Sequence, residues 1–317
     1  MIKISVSSSN NLRSCKRKFY FSKTLPFKRN LNLIYGTCFE KSFEVALTQG
    51  LEKGIEEGFR SFKKQKAIRV HAHQLIEKGT FSLSKLRKDI NECKALLPDM
   101  VERLYDFVLD NDIKFITNQC TVNYTLPNGN IINGRFDGLI EYQGKKYIFE
   151  LKGYSSLKEV DDLIIDNQVL NYLLLASRTK LDVEGLMFCQ LKKALPKEPK
   201  IIKNGKEMST DKSQKCDPET YLEYAQNVYD VIPDKIMEFY EYLKTKPNDL
   251  LQLDVILPNN QLIDEFESQM TVISEEMAEL LKLIKDNPKE AFRKCYTNRG
   301  NDCSWCNYTK ECKKGEC

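Results

Sequence analysis

The chain has 317 residues, 41% hydrophobic and 30% charged, with a formal net charge of +4. This composition excludes a disordered or fibrous polymer and supplies enough apolar side chain for a core without disulfide staples. No run of about 18 apolar residues is present, so neither a transmembrane helix nor a membrane partner is expected. The 11 cysteines are an odd count in a chain without an apolar secretory segment, which favours thiolate–metal chemistry and a cytoplasmic location.

The first 30 residues are purely basic: Lys3, Arg13, Lys16, Arg17, Lys18, Lys23, Lys28 and Arg29 stand there, and no acid precedes Glu40. Such an arm suits a phosphate backbone, with Arg13, Lys16, Arg17 and Lys18 as the candidate contacts. A solvated face is the alternative, as is a transit peptide, whose removal would discard Cys15. Ile4-Ser5-Val6-Ser7 alternates, and a basic-aromatic helix follows over Leu12–Phe21. Phe39, Phe43, Ala46, Leu47 and Leu51 recur at helical spacing, which predicts a helix over 36–66. Two or three helices fill 67–111, with Pro98 at the start of one.

From Phe115 the pattern is that of strands. Gln119–Leu126 runs into Pro127-Asn128-Gly129-Asn130, Ile131–Tyr142 alternates, and Gln143-Gly144 turns the chain into Lys145–Lys152, an antiparallel meander. A helix over Val160–Arg178 and a strand over Val183–Lys192 come next. Residues 193–216, Lys-rich with an Asn204-Gly205 turn, read as an exposed hairpin or loop able to meet phosphates. Helices over 217–246 and 260–285 precede a cysteine-dense tail, 286–317. The order argues for an α+β (α/β) fold with a central mixed sheet, antiparallel hairpins and flanking helices. We expect one domain over 1–317: arm 1–30, helical region 31–114, core 115–193, loop and helices 194–285, tail 286–317.

The informative residues lie in Gly134-Arg135-Phe136-Asp137-Gly138 and Phe149-Glu150-Leu151-Lys152-Gly153. Residues i and i+2 of a strand share a face, so Glu150 and Lys152 project together, and the hairpin brings Asp137 beside them. Two carboxylates and an amine on otherwise apolar strands are costly to bury without a purpose. Carboxylates suit Mg²⁺ or Mn²⁺, a bound cation activates water and polarises a phosphodiester, and a neighbouring lysine offsets developing charge. An ordinary ion pair on a solvent-facing hairpin is the alternative. Gln168 and Tyr172 share a helix face behind the strands; Gln168 could position water or a carboxylate, and Tyr172 could touch a phosphate.

GRFDG, FELKG and QVLNY, in this order and spacing, resemble the motifs of the RecB-like branch of the PD-(D/E)XK nuclease superfamily. That branch includes CRISPR-associated RecB-like exonucleases, AddB-type helicase–nucleases and related phage exonucleases. The resemblance implies a restriction-endonuclease-like core and a metal-dependent DNA nuclease, with exonuclease action favoured. It implies Asp137, Glu150 and the Leu151 carbonyl as ligands of Mg²⁺ or Mn²⁺, Lys152 as the catalytic lysine, and Gln168 and Tyr172 in support. Where relatives often carry a metal-binding histidine in a GTxxH pattern, Gly36-Thr37-Cys38-Phe39-Glu40 offers Glu40, a carboxylate for the same hard cation. His71 and His73 match no motif and are expected on a helix surface.

Cys303, Cys306 and Cys312 follow a spacing that lets thiolates reach one centre. Cys15 is the candidate fourth, with Cys295 a substitute and Cys317 spare; Trp305 could shield the centre. The same relatives carry one N-terminal and three C-terminal cysteines around a [4Fe–4S] cluster that staples the chain ends, and the resemblance implies one here; Zn²⁺ fits the spacing equally. Cys38, Cys93, Cys120, Cys189 and Cys216 read as buried small hydrophobes or incidental thiols. The expected partners are DNA, bound without sequence preference, and a helicase, recombination or CRISPR-adaptation protein. Rival readings are a catalytically inactive DNA-binding module and a zinc-ribbon interaction protein.

Overall fold

The computed structural model describes residues 1–27, 29–202, 207–246, 249–297, 303 and 306–314. The Asn204-Gly205 turn, Lys28, Trp305 and Cys317 lie outside the described residues. In chain order the elements are β1 (Lys3–Ser5), α1 (Val6–Ser14), α2 (Lys16–Thr24), α3 (Leu31–Gln49), α4 (Leu51–Lys64), α5 (Ala67–Glu77) and α6 (Leu83–Asp110). Then come β2 (Lys114–Thr125), β3 (Ile131–Tyr142), β4 (Lys145–Tyr154), α7 (Val160–Ile164), α8 (Asn167–Thr179) and β5 (Gly185–Lys192). The remainder is β6 (Ile201–Ile202), β7 (Glu207–Met208), α9 (Pro218–Val228), α10 (Asp234–Lys244), β8 (Leu251–Ile256), α11 (Asn260–Asp286), α12 (Pro288–Lys294) and α13 (Thr309–Lys314). Among the described residues, no helix is long and apolar enough to cross a membrane.

The expected central mixed sheet with flanking helices is present. β2 runs antiparallel along one edge of β3. The other edge of β3 is shared: β4 pairs antiparallel with residues 138–142, and β1 pairs parallel with 131–133. β5 then adds parallel to β4, and β8 closes the far edge antiparallel to β5. The strand alternation sends Ile132, Phe136, Ile148 and Phe188 to a layer with α8 and α11. It sends Ile140, Phe149, Leu151, Met187 and Cys189 to the opposite layer, against α3 and α6. A smaller core around Tyr221 and Phe239 joins β7, α9 and α10.

Several sequence expectations need correction, most of them at helix breaks. The helix over Leu12–Phe21 is two helices broken at Cys15, whose extended backbone caps α2. The helix over 36–66 breaks at Gly50, whose φ of 94° only glycine adopts freely. Asp166 ends α7 and caps α8 through a bond from Gln168 N–H. Pro233 separates α9 from α10. Pro98 stands inside α6 rather than at a start; Leu97, Met100, Val101 and Leu104, buried around it, anchor the helix there and outweigh the lost backbone bond. The meander is only part of a sheet whose β1 and β8 were not expected. His71 is buried, its Nε2 2.8 Å from Asp89, whereas His73 is exposed.

α8 lies so close to β3 that a Cβ at Gly134 would meet Leu175 Cδ1 at 2.6 Å and Tyr172 Cε1 at 3.0 Å. Gly134→Val is therefore expected to push α8 outward and destabilise the fold by roughly 1–3 kcal/mol, the usual range for overpacking. A fall in the urea midpoint at unchanged slope is the readout; an unchanged midpoint would show that the helix gives way without cost.

Candidate active site

β3 and β4 stop pairing after Gly138 and Phe149. Asp137 stands at the point where they part, opposite Gln119, which β2 holds at φ 58°. Here β3 also changes its face: Gly134 and Phe136 pack toward α8, whereas Gly138 packs against Phe115 in the opposite layer. The Leu151 N–H, left without a strand partner on this side, donates to Asp137 Oδ2 at 2.9 Å. In a strand the N–H and C=O of one residue point to the same side, so the Leu151 carbonyl faces the Asp137 side as well.

Glu150 is 1% exposed. Its Oε1 accepts from Gln168 Nε2 at 2.6 Å and lies 2.5 Å from Lys152 Nζ. Its Oε2 is buried with no hydrogen-bond partner. Burial pushes the Glu150 carboxyl up to about 8; Lys152 opposes this and the Asp137 charge adds to it. Burial works against the Lys152 ammonium, yet Glu150, Asp137 and Glu40 together hold its pKa above the ordinary value. Glu40, on α3, is an exposed residue that borders the cleft. Burial and Asp137 raise its pKa, against Lys152 and Arg135. Glu40, Asp137, Leu151 and Gln119 line a cleft of about 30 Å³, room for one ion or water.

The two α8 residues serve the carboxylate rather than the cleft. Gln168 Nε2 also donates to Tyr172 OH at 2.7 Å, and Tyr172 OH donates to the Arg135 carbonyl at 2.7 Å. Tyr172 is buried and its hydroxyl engaged, which does not suit the expected phosphate contact. Sequence reasoning missed two neighbours. Arg135 reaches the site electrostatically and bonds Gln119. Gln190, fully buried opposite Lys152 in the β4–β5 register, bonds both the N–H and C=O of Lys158. Its signal was a lone amide inside the apolar run GLMFCQLK.

The basic arm is largely engaged within the protein. Lys16 pairs with Glu276, Arg17 donates to the Cys295 carbonyl at 2.5 Å and covers the Phe292 ring, and Arg13 reaches Asn167. Lys18 faces a cavity of about 520 Å³ lined also by Cys15, Cys303, Cys306 and Cys312. Cys295 is fully buried in the main core and is not among that cavity's lining residues. Cys38, Cys189 and Cys216 are buried, and Cys93 and Cys120 half-buried.

The model of the PD-(D/E)XK nuclease superfamily matches residues 3–313. The chain belongs to that superfamily. No curated protein matches it. Among solved structures it is similar to one titled "Crystal structure of SSO0001", at 14% identity over 59% of this chain and 72% of that one, with a TM-score of 0.21; so slight a likeness carries no argument. PD-(D/E)XK proteins are phosphodiester-hydrolysing nucleases that generally use divalent metals such as Mg²⁺. Among the described residues, no three His, Cys, Asp or Glu side chains already stand as a ligand group. The oxygen donors of Asp137, Glu150, Glu40 and the Leu151 carbonyl nonetheless suit such a hard cation, and the unpartnered Glu150 Oε2 is a ligand atom in want of one.

In this PD-(D/E)XK chain, Gln168→Leu removes the amide donor to Glu150 Oε1. The expected cost is about 1–3 kcal/mol of stability, the penalty for stripping a partner from a buried acceptor. Urea unfolding measures it, and an unchanged midpoint would mean Lys152 alone satisfies the carboxylate.

Proposed function

We propose that the chain is a metal-dependent DNA nuclease of the RecB-like branch, an exonuclease in preference, acting in repair, recombination, phage replication or CRISPR adaptation. The observation that carries this reading is the convergence of Asp137, Glu150 and Lys152 where β3 and β4 part, with a buried carboxylate oxygen left unpartnered. Asp137, Glu150 and the Leu151 carbonyl would hold Mg²⁺ or Mn²⁺, with Glu40 at the mouth of the cleft. When bound, such a cation polarises the phosphodiester and acidifies water. Lys152, held charged beside the carboxylates, offsets the negative charge that grows on the phosphate. Gln168 fixes the rotamer of Glu150, and Tyr172 fixes Gln168.

The test is degradation of labelled single- and double-stranded DNA with Mg²⁺, Mn²⁺ or EDTA, beside Lys152→Ala. Cutting is expected only with a divalent metal, and the variant should lose at least about 100-fold, the scale on which one stabilising donor matters. DNA binding without cutting would move the reading to a binding module. Cutting that survives in Lys152→Ala would place the active site elsewhere.

Cys15, Cys303, Cys306 and Cys312 are the proposed ligands of a [4Fe–4S] cluster that ties α2 to the tail. Their shared cavity, with Arg17, Lys18 and Lys313 also on its lining, supports an anionic thiolate centre. Anaerobically purified protein should be brown, with about four iron atoms per chain, and Cys312→Ala should lose colour and melt lower. Colourless protein holding zinc would replace the cluster with Zn²⁺, and unchanged colour in the variant would strike Cys312 from the ligands.

A further inference from the structure

Beyond the end of β5 lies a cavity of about 700 Å³ with six lysines against two aspartates on its lining. Lys192 ends the strand, Lys197 and the pair Lys212 and Lys215 come from the segments that follow, and Lys244 and Lys246 close the C-terminal end of α10. Lys244 pairs with Glu241. Among the described residues, the other five form no ion pair. Two of them, Lys212 and Lys246, each place Nζ 4.7 Å from the centre of the same Tyr242 ring. Among the described residues, Lys246 Nζ donates one hydrogen bond, to the Lys212 carbonyl at 3.0 Å. Like charges that outnumber the acids beside them repel one another, and a bound polyanion removes that cost.

The cavity shares no lining residue with the cleft, but one of its lysines stands beside the catalytic strand. Lys192 pairs in register with Tyr154, two residues past Lys152 on β4. At a strand rise of about 3.3 Å per residue this is about 7 Å, or roughly two phosphate intervals along a stacked strand. The space is too small for a duplex. We propose that this lysine-lined cavity binds the phosphate backbone of a single DNA strand as it runs from the cleft. The assignment rests on the nuclease reading above for the identity of the strand. It adds to that reading a second contact region, built from α10 and the 212–217 segment, which no catalytic motif touches.

The experiment is binding of a fluorescent single-stranded 20-mer, read by anisotropy in EDTA so that nothing is cut, across about 50–300 mM salt. Wild type is compared with Lys212→Ala/Lys215→Ala/Lys246→Ala and with a control triple on α4, Lys53→Ala/Lys63→Ala/Lys64→Ala. All six substituted lysines are exposed, and unchanged melting curves verify folding. If three phosphates are met, the slope of log K against log salt should flatten by about 2 in the cavity variant, at about 0.7 per contact, and stay unchanged in the control. Equal slopes in wild type and cavity variant would overturn the assignment, even if wild type cuts DNA normally. Should wild type bind but never cut with metal, the nuclease reading falls while the slope comparison still decides the cavity.

Discussion

The bond from the Leu151 N–H to Asp137 Oδ2 is the contact on which the site depends. A strand that leaves its partner exposes backbone groups that must find other partners, and a buried orphan costs as much as a lost hydrogen bond. Here a side-chain carboxylate takes the place of the missing strand. The separation of β3 and β4 is thereby stabilised, and the gap it opens is flanked by the acid. β1 and β4 sharing one edge of β3 has the same consequence from the other side. β1 resumes the pairing at Ile131–Asn133, so the gap is bounded at both ends.

The rest of the site is arranged around a carboxylate that the fold does not satisfy. Glu150 is buried more deeply than a charge normally tolerates, and one of its oxygens is bonded twice while the other is bonded to nothing. Lys152 and Gln168 hold the first oxygen, which fixes where the second points. The chain from Gln168 through Tyr172 to the Arg135 carbonyl then ties this rotamer back to β3. Gly134 permits the close approach of α8 that makes the tie short. Support of this kind, from residues that do not reach the cleft, is what keeps a metal-type donor set in position.

Much of this was legible in the sequence, because strand alternation is local. Glu150 and Lys152 two apart, and a tight turn between two apolar strands, suffice to bring the three charged groups together. Gln168 and Tyr172 were legible as a helical pair, but their bonding inward to Glu150 and Arg135 depends on how α8 docks. What stayed hidden depends on contacts distant in sequence. β1 pairs with a strand some 128 residues later, a distance no periodicity reveals. β8 has six residues between two helices, and nothing local shows that β5 awaits an edge partner. The unexpected helix break at Asp166 has its signal in capping chemistry rather than in hydrophobic spacing, whereas Cys15 makes no side-chain cap bond and its break carries no such signal.

The break at Cys15 links the two ends of the molecule. Were α1 and α2 one helix, the residue at 15 would lie in a continuous turn with its backbone groups spent on helix bonds. Its extended conformation instead sets α2 at a new angle, with Phe21 against Phe292 and Tyr308. Arg17, in the first turn of α2, bonds the carbonyl of Cys295 and covers Phe292. Apolar and cation–π contacts therefore help to hold the tail near the N-terminal helix. A centre formed by the four cysteines that line the neighbouring cavity would add to an association the aromatic side chains have made, so its loss should loosen the tail before it unfolds the sheet.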